Sequence, residues 1–260
     1  MRLDKALMER GLVPSRSRAA LLIEGGGVCV NEKTVRKCSF ETTESDELSV
    51  NDLIGYVGRG GLKLENALSV FGVSCAGRHA LDIGASTGGF TECLLRFGAA
   101  SVTAVDVGHG QMHPSLVNDP RVINMENTNA RLLTPDAVGG KKDLAVMDVS
   151  FISQSVIYPS LFSCVKPEAP IITLVKPQFE AGSRYLNKKG VIKDKKVYLS
   201  VLRDLDAAAH ALGRGVTKAM VSPILGGDGN MEFLVLLETT DCVFDFSGVY
   251  HDALKGVPSD

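Results

Sequence analysis

The stretch Gly84-Ala85-Ser86-Thr87-Gly88-Gly89 is compatible with two different chemistries. Gly-x-Ser-x-Gly is the strand-to-helix elbow that exposes a nucleophilic serine, and such a serine needs an acid and then a histidine further along the chain. Asp228 with His251 is the formal choice, because His210 falls inside the helical run AAAHALG. The same glycines also suit a cradle, in which backbone N–H groups approach a nucleotide-like ligand at the start of a helix and Ser86 attacks nothing. A cradle wants an acid at the end of the next strand to take ribose hydroxyls, and Asp106 follows Asp82 by 24 residues. The spacing G-x-x-x-G-G departs from the G-x-G-x-x-G that holds the pyrophosphate of a dinucleotide.

Four charged residues stand where charge is expensive. Lys176 ends the apolar run IITLVK, Asp148 ends LAVMD, Glu232 begins MEFLVLLE, and Lys63 opens the helical GLKLENAL. Singly, each reads as a strand-end or helix-start residue in water. Gathered at one rim, two lysines and two carboxylates would neutralise one another, and a lysine crowded by a second cation would accept a proton near neutral pH. No metal is expected: His109 and His113 lack the Glu of H-E-x-x-H, and six cysteines include no C-x-x-C pair.

These residues need a scaffold. The 260 residues are 45% hydrophobic and 22% charged, enough for one large or two unequal domains. No apolar run approaches the roughly 18 residues of a membrane span, so a cytoplasmic location is expected. From His79 onward, seven short β-branched runs alternate with helical stretches, among them 89–97, 154–164 and 197–212. That alternation predicts an α/β fold with a doubly wound, mainly parallel sheet, which binds ligands at the carboxyl ends of its strands.

The first part of the chain reads as a small α+β module. Leu3, Ala6 and Leu7 share one face of a helix ending at Gly11; Ser15 is the expected N-cap of a second helix with Ala19, Leu22 and Ile23 inward. VCVNEKTV reads as a hairpin, and the acidic ETTESDELSVND as a further strand pair and loop. The net charge is −2, yet residues 1–40 hold eight Lys/Arg against four Asp/Glu, and residues 184–203 hold seven against one. Arg16 and Arg18 are expected on the exposed side of the second helix, near Arg2, Lys5, Lys33, Arg36 and Lys37. A basic face of this kind is either simply solvated or grips phosphates.

The string S-R-S-R-A-x-x-L-I-x-x-G-x-V-x-V-N over residues 15–31 resembles the S-four-type RNA-binding domain. That resemblance implies that the helix carrying Arg16 and Arg18 lies against RNA. The glycine spacing resembles motif I of S-adenosylmethionine (AdoMet)-dependent methyltransferases, in which carboxylates such as Asp82 would serve the sulfonium and ammonium groups. It also implies adenine contacts from Glu126 and Asn127. Lys63, Asp148, Lys176 and Glu232, in that order, resemble the K-D-K-E set of FtsJ-like ribose 2′-O-methyltransferases. Together with the linking GYVGRGGLKLENAL, nearly the whole chain is similar to the TlyA family of ribosomal-RNA cytidine 2′-O-methyltransferases, which also carries the name hemolysin. Gly58 stands where that family commonly has serine in Y-V-S-R-G-G.

The resemblance implies a Rossmann-like methyltransferase sheet over 63–245, an RNA-binding domain over 1–55, a linker over 56–62 and a polar tail over 246–260. It implies transfer of the AdoMet methyl to a ribose 2′-oxygen of ribosomal RNA. Lys176 would handle the proton, Asp148 would orient it, and Lys63 with Glu232 would position the nucleotide. Arg59 would contact RNA, and the basic stretch containing Lys188 and Lys189 would grip phosphates close to the site. The other readings are a catalytically idle RNA-binding or ribosome-assembly factor, and the Gly-x-Ser-x-Gly hydrolase.

Overall fold

The computed structural model describes residues 1–13, 16–50, 55–227 and 229–256. Ser15, the expected N-cap, and Asp228, the formal triad acid, lie outside the described residues. The chain divides into two compact units, Met1–Arg59 and Gly60–Asp260.

In the first unit, α1 (Leu3–Glu9) and α2 (Arg16–Glu24) precede the short strands β1 (Val28–Val30), β2 (Lys33–Thr34) and β3 (Leu48–Val50). Among the described residues the strands form an antiparallel sheet in the order β2-β1-β3. Leu3, Ala6, Leu7, Ala19, Leu22 and Ile23 are buried as their helical spacing requires. The expected hairpin forms, with Asn31 and Glu32 both at positive φ, the turn geometry that matches strand twist. Among the described residues the acidic segment yields one strand, β3, and a bridge from Glu41 to Arg2, where a strand pair was expected. Turn chemistry competes with the ladder there: Asp46 accepts from the backbone N–H and hydroxyl of Thr43, and Arg10 donates to the carbonyls of Thr43 and Asp46.

The second unit begins with α3 (Gly60–Phe71), followed by β4 (His79–Ile83), α4 (Gly89–Arg96), β5 (Ser101–Val105), α5 (Pro114–Val117), β6 (Val122–Met125), β7 (Leu144–Met147), α6 (Tyr158–Ser163), β8 (Ile171–Val175), α7 (Pro177–Glu180), α8 (Lys196–His210), β9 (Gly215–Val221), β10 (Phe233–Glu238) and α9 (Ser247–Lys255). Among the described residues its strands form one sheet in the order β6-β5-β4-β7-β8-β10-β9. β6, β5, β4, β7 and β8 pair in parallel, and β10 runs antiparallel to both β8 and β9, so β9 points the same way as those five. β7 and β8 are buried at every position, which is why they read as unbroken apolar runs. α3 buries Gly61, Leu64, Leu68 and Phe71 at helical spacing, and Lys63 with them. Lys218 on β9 donates to the carbonyl of Phe71 at 2.6 Å and so ties the end of α3 to the sheet.

Two expected boundaries shift. α3 starts at Gly60, inside the expected linker 56–62. The expected polar tail 246–260 contains α9, whose Val249 and Ala253 lie four residues apart on one face and enter the main core with Phe246. Polar residues on the opposite face masked that amphipathic pattern.

Candidate active site

The carboxyl ends of β4, β5, β7 and β8 open into a cleft of about 700 Å³, within the range of small-molecule sites. Its floor is the turn after β4. Gly84 has φ +83°, and a Cβ there would lie 2.1 Å from the carbonyl oxygen of Asp148, so the turn meets the end of β7 backbone to backbone. Ala85 is buried and Thr87 is exposed; Gly88 precedes α4, whose first residue is Gly89. Ser86 sits at φ +48° with its N–H donating to Asp106 Oδ2 at 2.8 Å and its hydroxyl donating to Gln111 Oε1 at 3.2 Å. Neither partner is an imidazole. His251, the formal triad base, is on α9 and contacts the carbonyl of Ser247 at 2.7 Å. Among the described residues the hydrolase arrangement has no base for Ser86.

Asp106 also accepts from the N–H of Gly108 at 2.7 Å. Two backbone donors fix the carboxylate, and its remaining lone pairs face a cleft that a diol could enter. Asp82 is wholly buried at the end of β4; Oδ2 accepts from the Thr91 hydroxyl at 2.6 Å, and Oδ1 has no partner. Loss of water pushes its carboxyl up to about 7, and the nearby Asp148 and Asp106 add to this while Thr91 opposes it. In the unfolded chain the group ionises near 3.8. Between those values the unfolded chain gives up a proton that the folded chain keeps, so this group makes folding less favourable as pH rises from about 4 to 7. Asp82→Asn removes that cost. Urea unfolding is expected to show the variant gaining on the parent by about 2–4 kcal/mol between pH 4 and pH 8. A pH-independent difference would mean that Asp82 does not titrate in this window.

Glu126 and Asn127 follow β6 but do not line the cleft. The Glu126 carboxylate accepts from the backbone N–H groups of Gly110, Gln111 and Met112, and these bonds hold its pKa below the usual carboxylate range. It thereby shapes the loop that carries Gln111. Asn127 has φ +54° and its side chain meets His109 Nδ1 at 3.2 Å. Thr128 and Asn129, one and two residues further on, line the cleft instead. Sequence reasoning missed them, along with Gln111 and Phe151. Phe151 is 89% exposed at the cleft with φ +65°, its ring 4.7 Å from that of Phe179. β7 ends at Met147, next to the expected strand end Asp148, and no local signal turns the Phe151 ring outward.

The four charged residues form two ion pairs. Lys176 Nζ lies 2.6 Å from Asp148 Oδ1 and donates to Ser150 Oγ at 2.9 Å, and both members of the pair line the cleft. Lys63 pairs with Glu232, and both side chains are buried. The sheet order brings three of them to one end of the sheet: β7, β8 and the antiparallel β10 are neighbours, so the exits that carry Asp148 and Lys176 lie beside the entry that carries Glu232. Gly226 must be small there, since a Cβ on it would lie 2.5 Å from Glu232 Oε1.

The basic residues divide differently. Arg16 is exposed but pairs with Asp4 at 2.8 Å, and Arg2 pairs with the same carboxylate at 3.0 Å. Arg2 first, then Arg16, pulls Asp4 down to about 2 against the opposing effect of burial. Arg18 does not share the exposed side with Arg16: it is half-buried and donates to the carbonyl of Tyr56 at 2.5 Å. Residues two apart on a helix point in nearly opposite directions. Lys5 pairs with Glu9 at 3.3 Å, and Lys33 is exposed on β2. Arg59 closes the first unit. In the second unit, Lys188 and Lys189 are exposed at the tip of a hairpin closed by the Leu186–Ile192 bridge.

Comparison with known proteins gives concordant findings. Residues 56–239 match the FtsJ-like methyltransferase family, and residues 1–48 match the S4 domain. The chain is 43% identical over 251 residues to the 16S/23S rRNA (cytidine-2′-O)-methyltransferase TlyA of Mycobacterium tuberculosis, covering 95% of this chain and 94% of that one. It is 39% identical to Hemolysin A of Brachyspira hyodysenteriae, covering 90% of this chain and 98% of the relative. A solved structure from Streptococcus thermophilus that bears the name hemolysin superposes with a TM-score of 0.77 at 38% identity, covering 98% of this chain and 96% of that one. Among the described residues no helix is long and apolar enough to cross a membrane.

Proposed function

Because the chain belongs to the TlyA family of FtsJ-like methyltransferases and carries an S4 domain over residues 1–48, we propose that it methylates the ribose 2′-oxygen of a cytidine in ribosomal RNA, using AdoMet. The observation that carries the reading is the Lys176–Asp148 pair at 2.6 Å, lining the same cleft as the Gly84 turn and Asp106. The cleft fits the cofactor on its own terms. Asp106 offers acceptors for two ribose hydroxyls, and Gln111, Thr128 and Asn129 offer polar groups for the edge of an adenine. The buried, unpaired Asp82 Oδ1 beneath that turn favours a cationic ligand above it.

When bound, AdoMet supplies an electrophilic methyl on a sulfonium. Lys176 Nζ takes or steers the proton of the attacking hydroxyl, and Asp148 and Ser150 hold that amine in place. The Lys63–Glu232 pair stands behind, fixing the ends of α3 and β10 that frame the nucleotide. The exposed ring of Phe151 offers the base a surface for stacking. Lys188 and Lys189 take phosphates near the site, and Arg2, Lys5, Arg16, Lys33 and Arg59 serve the RNA-binding module, with Arg18 bracing it from within. Mapping 2′-O-methyl marks on rRNA from cells with and without the gene tests the reading: a cytidine mark that depends on the gene is expected, and an unchanged map overturns it. An idle assembly factor would also leave the map unchanged.

The serine decides between cradle and elbow. Ser86→Ala is expected to cost about 1 kcal/mol of AdoMet affinity, the worth of one hydrogen bond, with methylation still measurable. Asp106→Ala removes an acceptor from two backbone donors as well as from the ribose, and AdoMet affinity by calorimetry is expected to fall at least about 100-fold. Labelling of Ser86 by a serine-reactive probe, with AdoMet affinity intact in Asp106→Ala, would overturn the cradle.

A further inference from the structure

Asn230 is buried to 1% exposure, just ahead of Glu232, and its side chain is spent on another part of the chain. Its Oδ1 accepts from the N–H of Ile192 at 3.1 Å and its Nδ2 donates to the carbonyl of Gly190 at 3.0 Å. Only one orientation of the carboxamide satisfies both, because an N–H needs an acceptor and a carbonyl a donor. The grip falls on the hairpin whose tip is Lys188 and Lys189. Asn187 builds that tip from within, its Oδ1 accepting from the N–H groups of Lys189 at 2.8 Å and Val191 at 3.0 Å. Ile192 enters the core, so the hairpin is anchored at one side and its lysines are held outward.

We propose that Asn230 is a positioning residue for RNA: its carboxamide locks the basic hairpin to the segment that carries Glu232, so that Lys188 and Lys189 meet phosphates as a preset pair beside the reacting nucleotide. This rests on the reading above that these two lysines hold RNA. Each phosphate neutralised by a fixed cation contributes about 0.7 to 0.9 to the slope of log affinity against log salt. A neutral residue contributes nothing directly. If Asn230 sets the hairpin, however, its loss unfixes two cations without removing any charge.

The test measures binding of the full chain to purified ribosomal subunits across a salt series. Lys188→Ala/Lys189→Ala is expected to reduce the slope by about 1 to 2. Asn230→Ala is expected to reduce it by a similar amount, with AdoMet affinity within about twofold of the parent, and adding the lysine changes to Asn230→Ala is expected to reduce it no further. Should Asn230→Ala not fold, Asn187→Ala loosens the same tip at an exposed position and is expected to give the same loss of slope. An unchanged slope in Asn230→Ala, or in Asn187→Ala where that stands in, with a reduced slope in the lysine variant, overturns the positioning role and leaves the RNA reading intact. An unchanged slope in the lysine variant overturns both.

Discussion

Lys176→Ala is expected to lower methyl transfer by about 100- to 10,000-fold while AdoMet affinity stays within about tenfold. General acid–base groups contribute about 100- to 10,000-fold, and their effect is confined to the transition state. The two sets of side chains are held by different partners: Lys176 Nζ by Asp148 and Ser150, and the Asp106 carboxylate by the N–H groups of Ser86 and Gly108. Lys176→Arg separates two roles. An amine that moves a proton has no substitute in a guanidinium, which stays protonated, so the Arg variant is expected to be as slow as the Ala variant. If Lys176 supplied only positive charge, Arg would restore much of the rate. Single-turnover methylation of purified ribosomal subunits, read beside calorimetric AdoMet binding, measures both. Turnover near that of the parent in Lys176→Ala would remove this residue from the mechanism.

The largest expected effect on stability comes from splitting Lys63 and Glu232. Both side chains are at most 8% exposed, so removing either partner leaves a charge buried without compensation. Lys63→Met and Glu232→Gln are each expected to cost about 3–5 kcal/mol in urea unfolding. Replacing the pair together, Lys63→Met with Glu232→Leu, is expected to return stability to within about 1 kcal/mol of the parent, because a well-packed apolar pair often matches a buried ion pair. Activity is expected to stay low in the double variant. Stability of the double variant no better than the singles would mean that the pair is not energetically coupled. Full activity in the double variant would make it structural alone.

Much of the scaffold was legible from local pattern. β7 and β8 read as unbroken apolar runs because strands covered on both faces leave no polar alternation, and α8 read as helix from its buried spacing. The turn Gly84–Gly89 and its distance to Asp106 marked the cleft, since a close backbone approach admits little besides glycine. Other features resisted. Phe151 carried no signal in the sequence, and residues 246–260 read as a tail, because outward rotation of that ring and docking of α9 both depend on neighbours distant in sequence.

The sequence by itself determined most of the strands and helices of the large sheet, which residues carry charge into apolar runs, and where glycine must stand. These follow from periods of 2 and 3.6 residues and from turn chemistry, which act over a few bonds. Only the tertiary structure decided the partners. It placed β10 antiparallel between β8 and β9, bringing Glu232 to the edge where Asp148 and Lys176 emerge, and it split four charges into one pair at the cleft and one pair in the interior. It turned Arg18 inward against the Tyr56 carbonyl and set Asn230 on the basic hairpin. Such pairings are chosen by sheet order and burial, since a charge withdrawn from water must find its counterpart wherever the fold brings one within reach.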